Sequence, residues 1–279
     1  MLKVLKPGFF TSIQDNGRYG YRNKGVPISG AMDSRALNMV NSLLENPVNA
    51  AALEITMTGP TLIFEEETYV SLSGGVISAT LNNEPIENYK VYKVEKGDII
   101  SYGRLESGFR GYLAVKGGFS LKKTLGSSSQ YFPLTAKRCI SEKDEIPFEP
   151  TLNFVPKISE LKIDSYLTEK QLQVSRGPEY TILNDKQLEA LFSKGFTVAK
   201  ENNRMAYQVS EFIEGHSIPM LTSATLPGTI QLTPAGKLII LMKDGQTTGG
   251  YPRILQLTEE AVCVLAQKKS GDSINLKLN

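Results

Sequence analysis

Tryptophan is absent from the 279-residue sequence, histidine occurs once and cysteine twice. His216, Cys139 and Cys263 are too few to supply a zinc site of four cysteines, of two cysteines with two histidines, or of three histidines. No serine or cysteine nucleophile motif lies near His216, which argues against a Ser-His-Asp or Cys-His hydrolase. The N-terminus lacks the apolar stretch of a signal peptide, so the two distant cysteines are expected to be reduced and buried. We predict no metal site.

Two common nucleotide-binding motifs are also missing, namely Gly-x4-Gly-Lys-[Ser/Thr] and a Gly-x-Gly-x-x-Gly that follows a strand. Any use of ATP would therefore follow an uncommon route or depend on a partner chain. No apolar run approaches the ~20 residues of a membrane helix. The formal net charge of +2 is too small to indicate a nucleic-acid or anionic-membrane partner. We expect a cytoplasmic protein with no nucleic acid and no membrane among its partners.

What the sequence does contain favours a mostly β protein. Its 24 glycines and 14 prolines fit many turns. Short runs of aliphatic, aromatic and β-branched residues, each bounded by turn residues, predict strands at 61–64, 69–73, 111–115 and 238–242. Helical spacing of apolar residues is rarer and predicts helices at 34–44, 185–192 and 258–265. Many short strands with few helices are typical of a β-barrel or a sandwich.

The length and the distribution of proline predict two domains. Prolines 147, 150 and 156 precede a stretch without a clear strand or helix pattern, so we predict an N-terminal domain at 1–150, a linker at 151–168 and a C-terminal domain at 169–279. The segments 95–101 and 269–275 both have a charged turn, then Gly-Asp, then an apolar-polar run. This similarity suggests a duplication, although such turns are common.

The first of three polar clusters spans 8–33. It offers Gln14, Asp15 and Arg18 among glycines, where the backbone can approach a ligand closely. Asp33 is placed to cap the following helix, whose N-terminus would favour an anion. The alternative is a turn-rich strand in which Asp15 and Arg18 form a structural ion pair, and the pattern does not decide between them.

The other two clusters lie in the C-terminal half. Arg204 offers a forked donor that suits a carboxylate or a phosphate, or else it is a solvated turn residue. The loop 243–252 has several hydrogen-bonding side chains beside two adjacent glycines. A long hairpin does not need that density of polar groups. The loop is therefore predicted to hold a small amide-like solute through its carbonyl and N–H groups.

Five motifs in fixed order resemble one protein family: Thr11-Ser-Ile-Gln-Asp-x-Gly-Arg, Gly25-Val-Pro-x-Ser-Gly-Ala-Met-Asp, Leu53-Glu-Ile-Thr-x-x-Gly-Pro, Tyr112-Leu-Ala-Val-x-Gly-Gly and Asp244-Gly-Gln-Thr-Thr-Gly-Gly-Tyr-Pro. The chain is similar from about residue 4 to 276 to the C subunit of ATP-dependent 5-oxoprolinase. The same family is called allophanate hydrolase subunit 2, KipI antagonist (KipA) or the biotin-dependent carboxylase-like domain. The resemblance implies two cyclophilin-like β-barrel halves with a few short helices.

The resemblance also implies a reaction and partners. A KipI-like partner (the B subunit) and a LamB/YcsF-like partner (the A subunit) would act with this chain to open the lactam 5-oxoproline to glutamate, driven by shared ATP. Phosphorylation of the lactam oxygen would make the ring carbon open to attack by water. Such a site needs donors to the carbonyl, cations for phosphate and a carboxylate that handles protons. The chain alone would be inactive.

Carried over to this sequence, these needs give two sets of candidate residues. The predicted catalytic carboxylates are Asp15, Asp33, Glu54 and Asp244. The predicted substrate-binding residues are Gln14, Arg18, Ser29, Arg204, Gln246, Thr247, Thr248, Gly249 and Tyr251.

Three features leave the substrate open. Gln208 stands where relatives have a second arginine, and the segment 132–145 replaces a glycine-rich loop of the family. Met242-Lys243 superficially resembles a biotin attachment site, but Asp244 follows where an apolar residue is expected, so no covalent biotin is predicted. The alternatives are a KipA-like regulator that binds a KipI-like kinase inhibitor, and a carboxyltransferase-type component that acts on urea or another small amide.

From the sequence we expect Asp244→Asn to abolish activity of the assembled complex while the melting temperature stays nearly unchanged. Asparagine keeps the shape of the side chain but removes its charge and turns one acceptor into a donor. Steady-state turnover and a thermal melt of the same preparation measure the two effects.

Overall fold

The computed structural model describes residues 1–279 and divides them into two units, one made of Met1–Arg18 with Ser29–Thr168, the other of Tyr19–Ile28 with Glu169–Asn279. It is mostly β, as predicted. The strands of the first unit are β1 (Leu2–Lys6), β2 (Phe10–Gln14), β3 (Ala52–Thr56), β4 (Thr61–Phe64), β5 (Thr68–Leu81), β6 (Glu84–Ile86), β7 (Val91–Val94), β8 (Ile99–Val115) and β9 (Glu145–Ile146), and its helix is α1 (Ser34–Leu43).

The strands of the second unit are β10 (Gln171–Arg176), β11 (Phe196–Asn202), β12 (Ala206–Phe212), β13 (Ser223–Ala224), β14 (Thr229–Leu232), β15 (Lys237–Leu241), β16 (Thr248–Gly249), β17 (Arg253–Leu257) and β18 (Ser273–Leu278). Its α-helices are α2 (Asp185–Ser193) and α3 (Glu259–Ala266), and two short 3-10 helices span Arg22–Lys24 and Tyr180–Ile182.

The first unit is built on one antiparallel sheet of nine strands in the order β2-β3-β8-β4-β1-β9, with β5 paired to β6, β7 and β8. The long strands β5 and β8 run side by side from the pair Val70–Val115 to the pair Leu81–Ile100. Bulges interrupt this ribbon between Gly74 and Ala79. Because bulges bend and twist a strand, β8 pairs β3 through one half and β4 through the other.

Seven strands of the second unit close a barrel in the order β10-β17-β14-β15-β12-β11-β18. Only β10 and β18 run parallel, and all other neighbours are antiparallel. The strands β13 and β16 form a separate two-stranded sheet. The prediction of a barrel holds for this unit, whereas the hydrogen-bonded sheet of the first unit is not closed.

All three predicted helices are present, and α1 begins at its predicted cap. Asp33 accepts from Ala36 N at 3.0 Å at the start of α1, and Thr258 accepts from Ala261 N at the start of α3. Asn184 and Gln187 form a reciprocal capping box before α2. No α-helix is long and apolar enough to span a membrane. Both cysteines are free; Cys263 is buried as predicted, but Cys139 is half-buried.

The division of the chain differs from the predicted boundaries in two places. Segment 151–168 belongs to the first unit, because its backbone bonds β7 and the turn before it: Val91 N donates to Ser159 O, and Leu161 N to Tyr89 O, both at 2.9 Å. Segment 19–28 belongs to the second unit, where the Arg22 guanidinium donates to Thr225 O. None of these contacts could be inferred from local composition, since the partners are far apart in sequence.

The two Gly-Asp segments adopt one geometry. Asp98 Oδ2 accepts from Glu95 N at 2.7 Å, and Asp272 Oδ2 accepts from Lys269 N at 2.9 Å. The preceding glycines have φ of 94° and 92°. Each turn also exchanges two backbone hydrogen bonds with a strand residue, Phe64 for the first turn and Val198 for the second. The similarity of sequence therefore extends to the hydrogen-bond pattern, which supports the suggested duplication.

We expect Gly30→Ala to lower the free energy of unfolding far more than Gly126→Ala. The two glycines have φ of 80° and 79°, but a Cβ on Gly30 would lie 2.7 Å from Gly17 N, whereas one on Gly126 meets nothing within 4 Å. The left-handed backbone alone costs about 1–2 kcal/mol, and the steric clash should add about 2 kcal/mol. Urea denaturation of both variants measures the difference, and equal losses would contradict the expectation.

Candidate functional site

Asp15, a predicted catalytic carboxylate, is surrounded by donors of its own chain. Its Oδ1 accepts from the hydroxyls of Ser127 and Ser129, each at 2.6 Å, and from Gly17 N at 2.8 Å. Its Oδ2 accepts from Ser128 N at 2.6 Å. The residue is buried. These contacts tie the end of β2 to the serine-rich segment 127–129, more than a hundred residues away.

The neighbouring side chains serve the same junction. Gln14 Nε2 donates to Ser12 Oγ at 3.0 Å and to Gln130 O at 3.3 Å. The buried guanidinium of Arg18 donates through Nη2 to Ser129 O at 2.5 Å. Both side chains are thus directed at polar groups of the segment 127–130. The structure brings the predicted residues Gln14, Asp15 and Arg18 together around that segment.

A second buried network surrounds Glu54 in the middle of β3. Glu54 Oε2 accepts from Met32 N and from the Tyr112 hydroxyl, each at 2.7 Å. The Tyr112 oxygen in turn accepts from Asp33 N at 2.9 Å. Arg110 Nε lies 3.9 Å from Glu54 Oε1. The carboxylate therefore fixes the turn before α1 onto the sheet.

Asp33 completes this network, since its Oδ2 accepts from the Tyr166 hydroxyl while its Oδ1 caps α1. The pKa of Tyr112 lies well above its usual range, first because the phenol is buried and then because Glu54 and Asp33 oppose a second negative charge. Tyr112 accordingly remains a hydrogen-bond donor at neutral pH. Burial thus keeps the proton on the Tyr112 hydroxyl.

Ser29 belongs to the same turn. Its backbone has φ of 57°, and its hydroxyl is buried without a hydrogen-bond partner. The predicted residues of the first unit are all at most 3% exposed: Gln14, Asp15, Arg18, Ser29, Asp33 and Glu54. Side chains this deeply buried do not meet a dissolved substrate in this conformation. Their geometry supports a structural role in holding the turns 14–18 and 29–33.

The predicted residues of the second unit are more accessible. Arg204 and Asp244 form a two-point ion pair, with Nε to Oδ2 at 2.8 Å and Nη2 to Oδ1 at 3.1 Å. The Asp244 backbone N–H also donates to Arg204 O at 2.8 Å. The fork expected to hold a phosphate or carboxylate ligand therefore holds a carboxylate of its own chain. Asp244 is 13% exposed, so the pair reaches the protein surface.

The loop that follows, 244–251, is held through its backbone. Thr225 N donates to Thr247 O at 3.0 Å, and Thr225 Oγ1 donates to Gln246 O. The pairing of β13 with β16 places Ala224 opposite Thr248 and Ser223 opposite Gly249. With the backbone fixed in this way, the side chains of Gln246, Thr248 and Tyr251 remain exposed. The loop thus presents amide, hydroxyl and phenol groups to solvent on a firm support.

Two arginines that were not predicted from the sequence donate hydrogen bonds to β13 and the residue after it, which hold this loop. Arg22 donates to Thr225 O, and Arg253 Nη1 donates to Ala224 O at 2.6 Å. Arg253 is itself held by two charge-assisted bonds to Glu179, which lower the pKa of that carboxyl. No local signal marks either arginine, because each contact joins segments that only the tertiary fold brings together.

Two cavities lie apart from these groups. One of about 340 Å³ in the first unit is lined by residues that include Asn88, Tyr89 and Tyr166. The other, of about 460 Å³, lies in the second unit between the end of α2 and β18, beside Lys194 and Lys277. Neither contains a predicted site residue. The only link is the Tyr166 hydroxyl, which bonds Asp33.

The family model and the similar proteins point to the same family. Residues 24–278 match the model of the carboxyltransferase domain, subdomains A and B. The chain is 31% identical to the C subunit of 5-oxoprolinase from Escherichia coli over 281 residues, which cover 99% of this chain and 90% of the relative. It is also 30% identical to urea amidolyase of Lachancea kluyveri, covering 98% of this chain and 16% of that longer protein.

Solved structures share the fold. The protein TTHA0988 superposes with a TM-score of 0.90 at 25% identity, over 99% of this chain and 55% of that one. Urea carboxylase of Kluyveromyces lactis gives a TM-score of 0.88 at 29% identity, over 99% of this chain and 27% of that one. This chain therefore spans about half or less of each of these two structures.

We expect Tyr112→Phe to lower the free energy of unfolding by about 1–3 kcal/mol, because Glu54 loses a donor and Asp33 N loses its acceptor in a buried place. Tyr102→Phe is the matched control. The Tyr102 hydroxyl is buried without a partner, so its removal should leave stability unchanged or raise it. Chemical denaturation of both variants measures the two changes in the free energy of unfolding. A larger decrease for Tyr102→Phe than for Tyr112→Phe would contradict this explanation.

The structure changes the expectation for Asp244→Asn. Loss of the charge leaves the Arg204 guanidinium, which is 8% exposed, without its carboxylate, so we now expect a loss of about 3 kcal/mol in stability. The matched control is Glu179→Gln in the pair with Arg253, whose side chains are 23% and 19% exposed and whose loss should be smaller. Thermal and urea denaturation measure both; an unchanged melting temperature for Asp244→Asn would contradict the pair's structural role.

Proposed function

The chain belongs to the carboxyltransferase-domain family that includes the C subunit of 5-oxoprolinase, and on that premise we propose that it is this component of an ATP-dependent 5-oxoprolinase. The complex would open the ring of 5-oxoproline to give glutamate. The identities of 31% and 32% to two bacterial relatives of that name, over nearly the whole chain, support this choice. The substrate, the partners and the use of ATP are parts of the proposal.

The single observation that carries the proposal is the supported polar loop 244–251. A lactam offers one carbonyl acceptor beside one N–H donor, so its binding needs both kinds of partner at short range. The exposed Gln246 carboxamide supplies a donor and an acceptor, and the Thr248 hydroxyl supplies either. Because Thr225 and β13 fix the backbone, the loop presents these groups without the entropy cost of ordering a free loop.

We assign Asp244 a positioning role within this site. Its carboxylate is engaged by Arg204 on both oxygens, and its backbone N–H ties the start of the loop to Arg204 O. In this arrangement it sets where the loop leaves β15. Arg204 in turn is fixed at the base of the loop by this ion pair, and the carboxylate offsets its charge.

ATP, when bound by the complex, would supply the phosphorylation that activates the lactam carbonyl. Triphosphate binding calls for several cations that can turn toward the ligand. The arginines of this chain near the predicted residues are engaged internally: Arg18 with Ser129 O, Arg204 with Asp244 and Arg253 with Glu179. We therefore propose that partner proteins provide most of the phosphate contacts.

Two further proteins complete the proposed enzyme, one KipI-like and one LamB/YcsF-like. The longer structures that share this fold carry additional polypeptide beyond the matched region. In our proposal, separate chains fill the corresponding place here. The site of this chain would then become productive only in the complex.

A second candidate is carboxyl transfer to urea or another small amide, with biotin carried on a separate chain. The similarity to urea amidolyase and to urea carboxylase favours it specifically. The same loop suits this ligand, because urea also presents a carbonyl flanked by N–H groups. The two candidates differ in co-substrate, since one consumes water and the other a carboxylated biotin.

We expect the purified chain alone to show no ATP hydrolysis that depends on 5-oxoproline, and the chain co-expressed with the KipI-like and LamB/YcsF-like partners to show it. The measurement is release of phosphate and glutamate with 5-oxoproline, with and without each partner. Size-exclusion chromatography of the chain with the KipI-like partner tests assembly at micromolar concentration. Turnover by the single chain, or two separate peaks in the chromatogram, would contradict the proposal; urea-dependent activity with a biotin carrier would favour the second candidate.

A further inference from the structure

A buried glutamine that the sequence analysis did not select lies beneath the 244–251 loop. Gln231 on β14 is completely buried, and its Nε2 donates to Tyr251 O at 3.3 Å. Its Oε1 has no hydrogen-bond partner. An acceptor buried without a donor is costly, and such groups are rare in native proteins. The carboxamide oxygen of Gln231 therefore has capacity for one more donor than the chain supplies.

Gly249 lies directly against this carboxamide. A Cβ added to Gly249 would lie 2.5 Å from Gln231 Nε2 and 2.9 Å from Gln246 Nε2. Two carboxamides thus converge on one point, one from the barrel wall and one from the loop. Any side chain at position 249 would displace both of them.

Gln246 is the movable member of this pair. Its backbone oxygen is fixed by the Thr225 hydroxyl, but no hydrogen bond holds its side chain, which is exposed. Rotation of that side chain needs no shift of the backbone. By contrast, Gln231 is held by its bond to Tyr251 O and by its place in the barrel. The Gln246 carboxamide is therefore able to turn, whereas the Gln231 carboxamide is held in place.

We propose that Gln231 is a substrate-binding residue whose Oε1 accepts the N–H of a small amide ligand once Gln246 turns aside. The inference rests on the proposed function in that it takes the ligand to be a lactam or urea-type amide. The N–H would satisfy the carboxamide oxygen of Gln231, which the chain leaves unpaired. A site of this kind rejects analogues that lack the N–H, because the buried oxygen then stays unpaired.

The first test replaces Gln231 by the similarly sized, apolar methionine. In the assembled complex, Gln231→Met should raise KM for 5-oxoproline at least tenfold. The melting temperature of the chain should stay nearly level, because loss of the long bond to Tyr251 O is offset by removal of an unpaired acceptor. Gln256→Met on the adjacent β17 is the matched control. Both amide atoms of Gln256 are bonded within the chain, to Thr229 Oγ1 and Pro227 O, so this variant should lose stability and keep KM.

The second test removes the N–H from the ligand. N-methyl-5-oxoproline should be a far poorer substrate than 5-oxoproline for the wild-type complex, by roughly a hundredfold in kcat/KM, and Gln231→Met should reduce that preference to a few-fold. If Gln231→Met melts lower and keeps both KM and the preference, the glutamine is only structural and the inference is wrong, while the proposed function stands.

A binding measurement separates this inference from the proposed function. The side-chain amide resonances of Gln231, assigned by their loss in Gln231→Met, are followed by NMR in the full chain as 5-oxoproline or acetamide is added. Their selective shift supports the inference even if the complex proves inactive toward 5-oxoproline. No shift with either amide overturns it, and absence of turnover by the wild-type complex overturns the proposed function alone.

Discussion

A carboxylate that the fold removes from water must be satisfied by donors of the same chain, because an unpaired buried charge costs more than most other interactions contribute. Three groups meet this requirement in different ways. Asp15 collects serine hydroxyls and backbone N–H groups, Glu54 takes a phenol and a backbone N–H, and Asp244 is held by the fork of Arg204. In each case donors come from segments that are distant in sequence. The hydrogen bonds that satisfy the carboxylate therefore also hold those segments together.

This constraint separates residues that hold the structure from those that can meet a ligand. In the turns 14–18 and 29–33, carboxylates such as Asp15 and Asp33 are buried and their side-chain oxygens are satisfied. In the 244–251 loop the backbone is the satisfied part, held by Thr225, and the side chains remain outside. Polar density along the sequence looked alike in the two regions. The two regions differ in which atoms form the hydrogen bonds: side-chain atoms in the turns, and backbone atoms in the loop.

Local pattern predicted much of the secondary structure. Strand β4 was predicted at its observed bounds, and so were the cap of α1 at Asp33 and the start of α3 at Thr258. The long ribbon of β5 and β8 was predicted only in fragments, because its bulges and glycines break the alternation on which strand prediction relies. The exchange of segment 19–28 into the second unit left no trace in composition, since it depends on contacts such as Arg22 with Thr225 O.

The sequence by itself determined the fold class, the presence of the three helices and the motifs that mark the family, because periodicity, capping and turn chemistry act over a few neighbouring residues. It also located the 244–251 loop through its unusual polarity. Only the tertiary structure decided that Glu54 and Asp15 are enclosed, that Arg204 is already paired, and that Gln231 lies under the loop with an acceptor to spare. Burial and pairing are properties of residues far apart in the chain, and they are settled when the strands close around them.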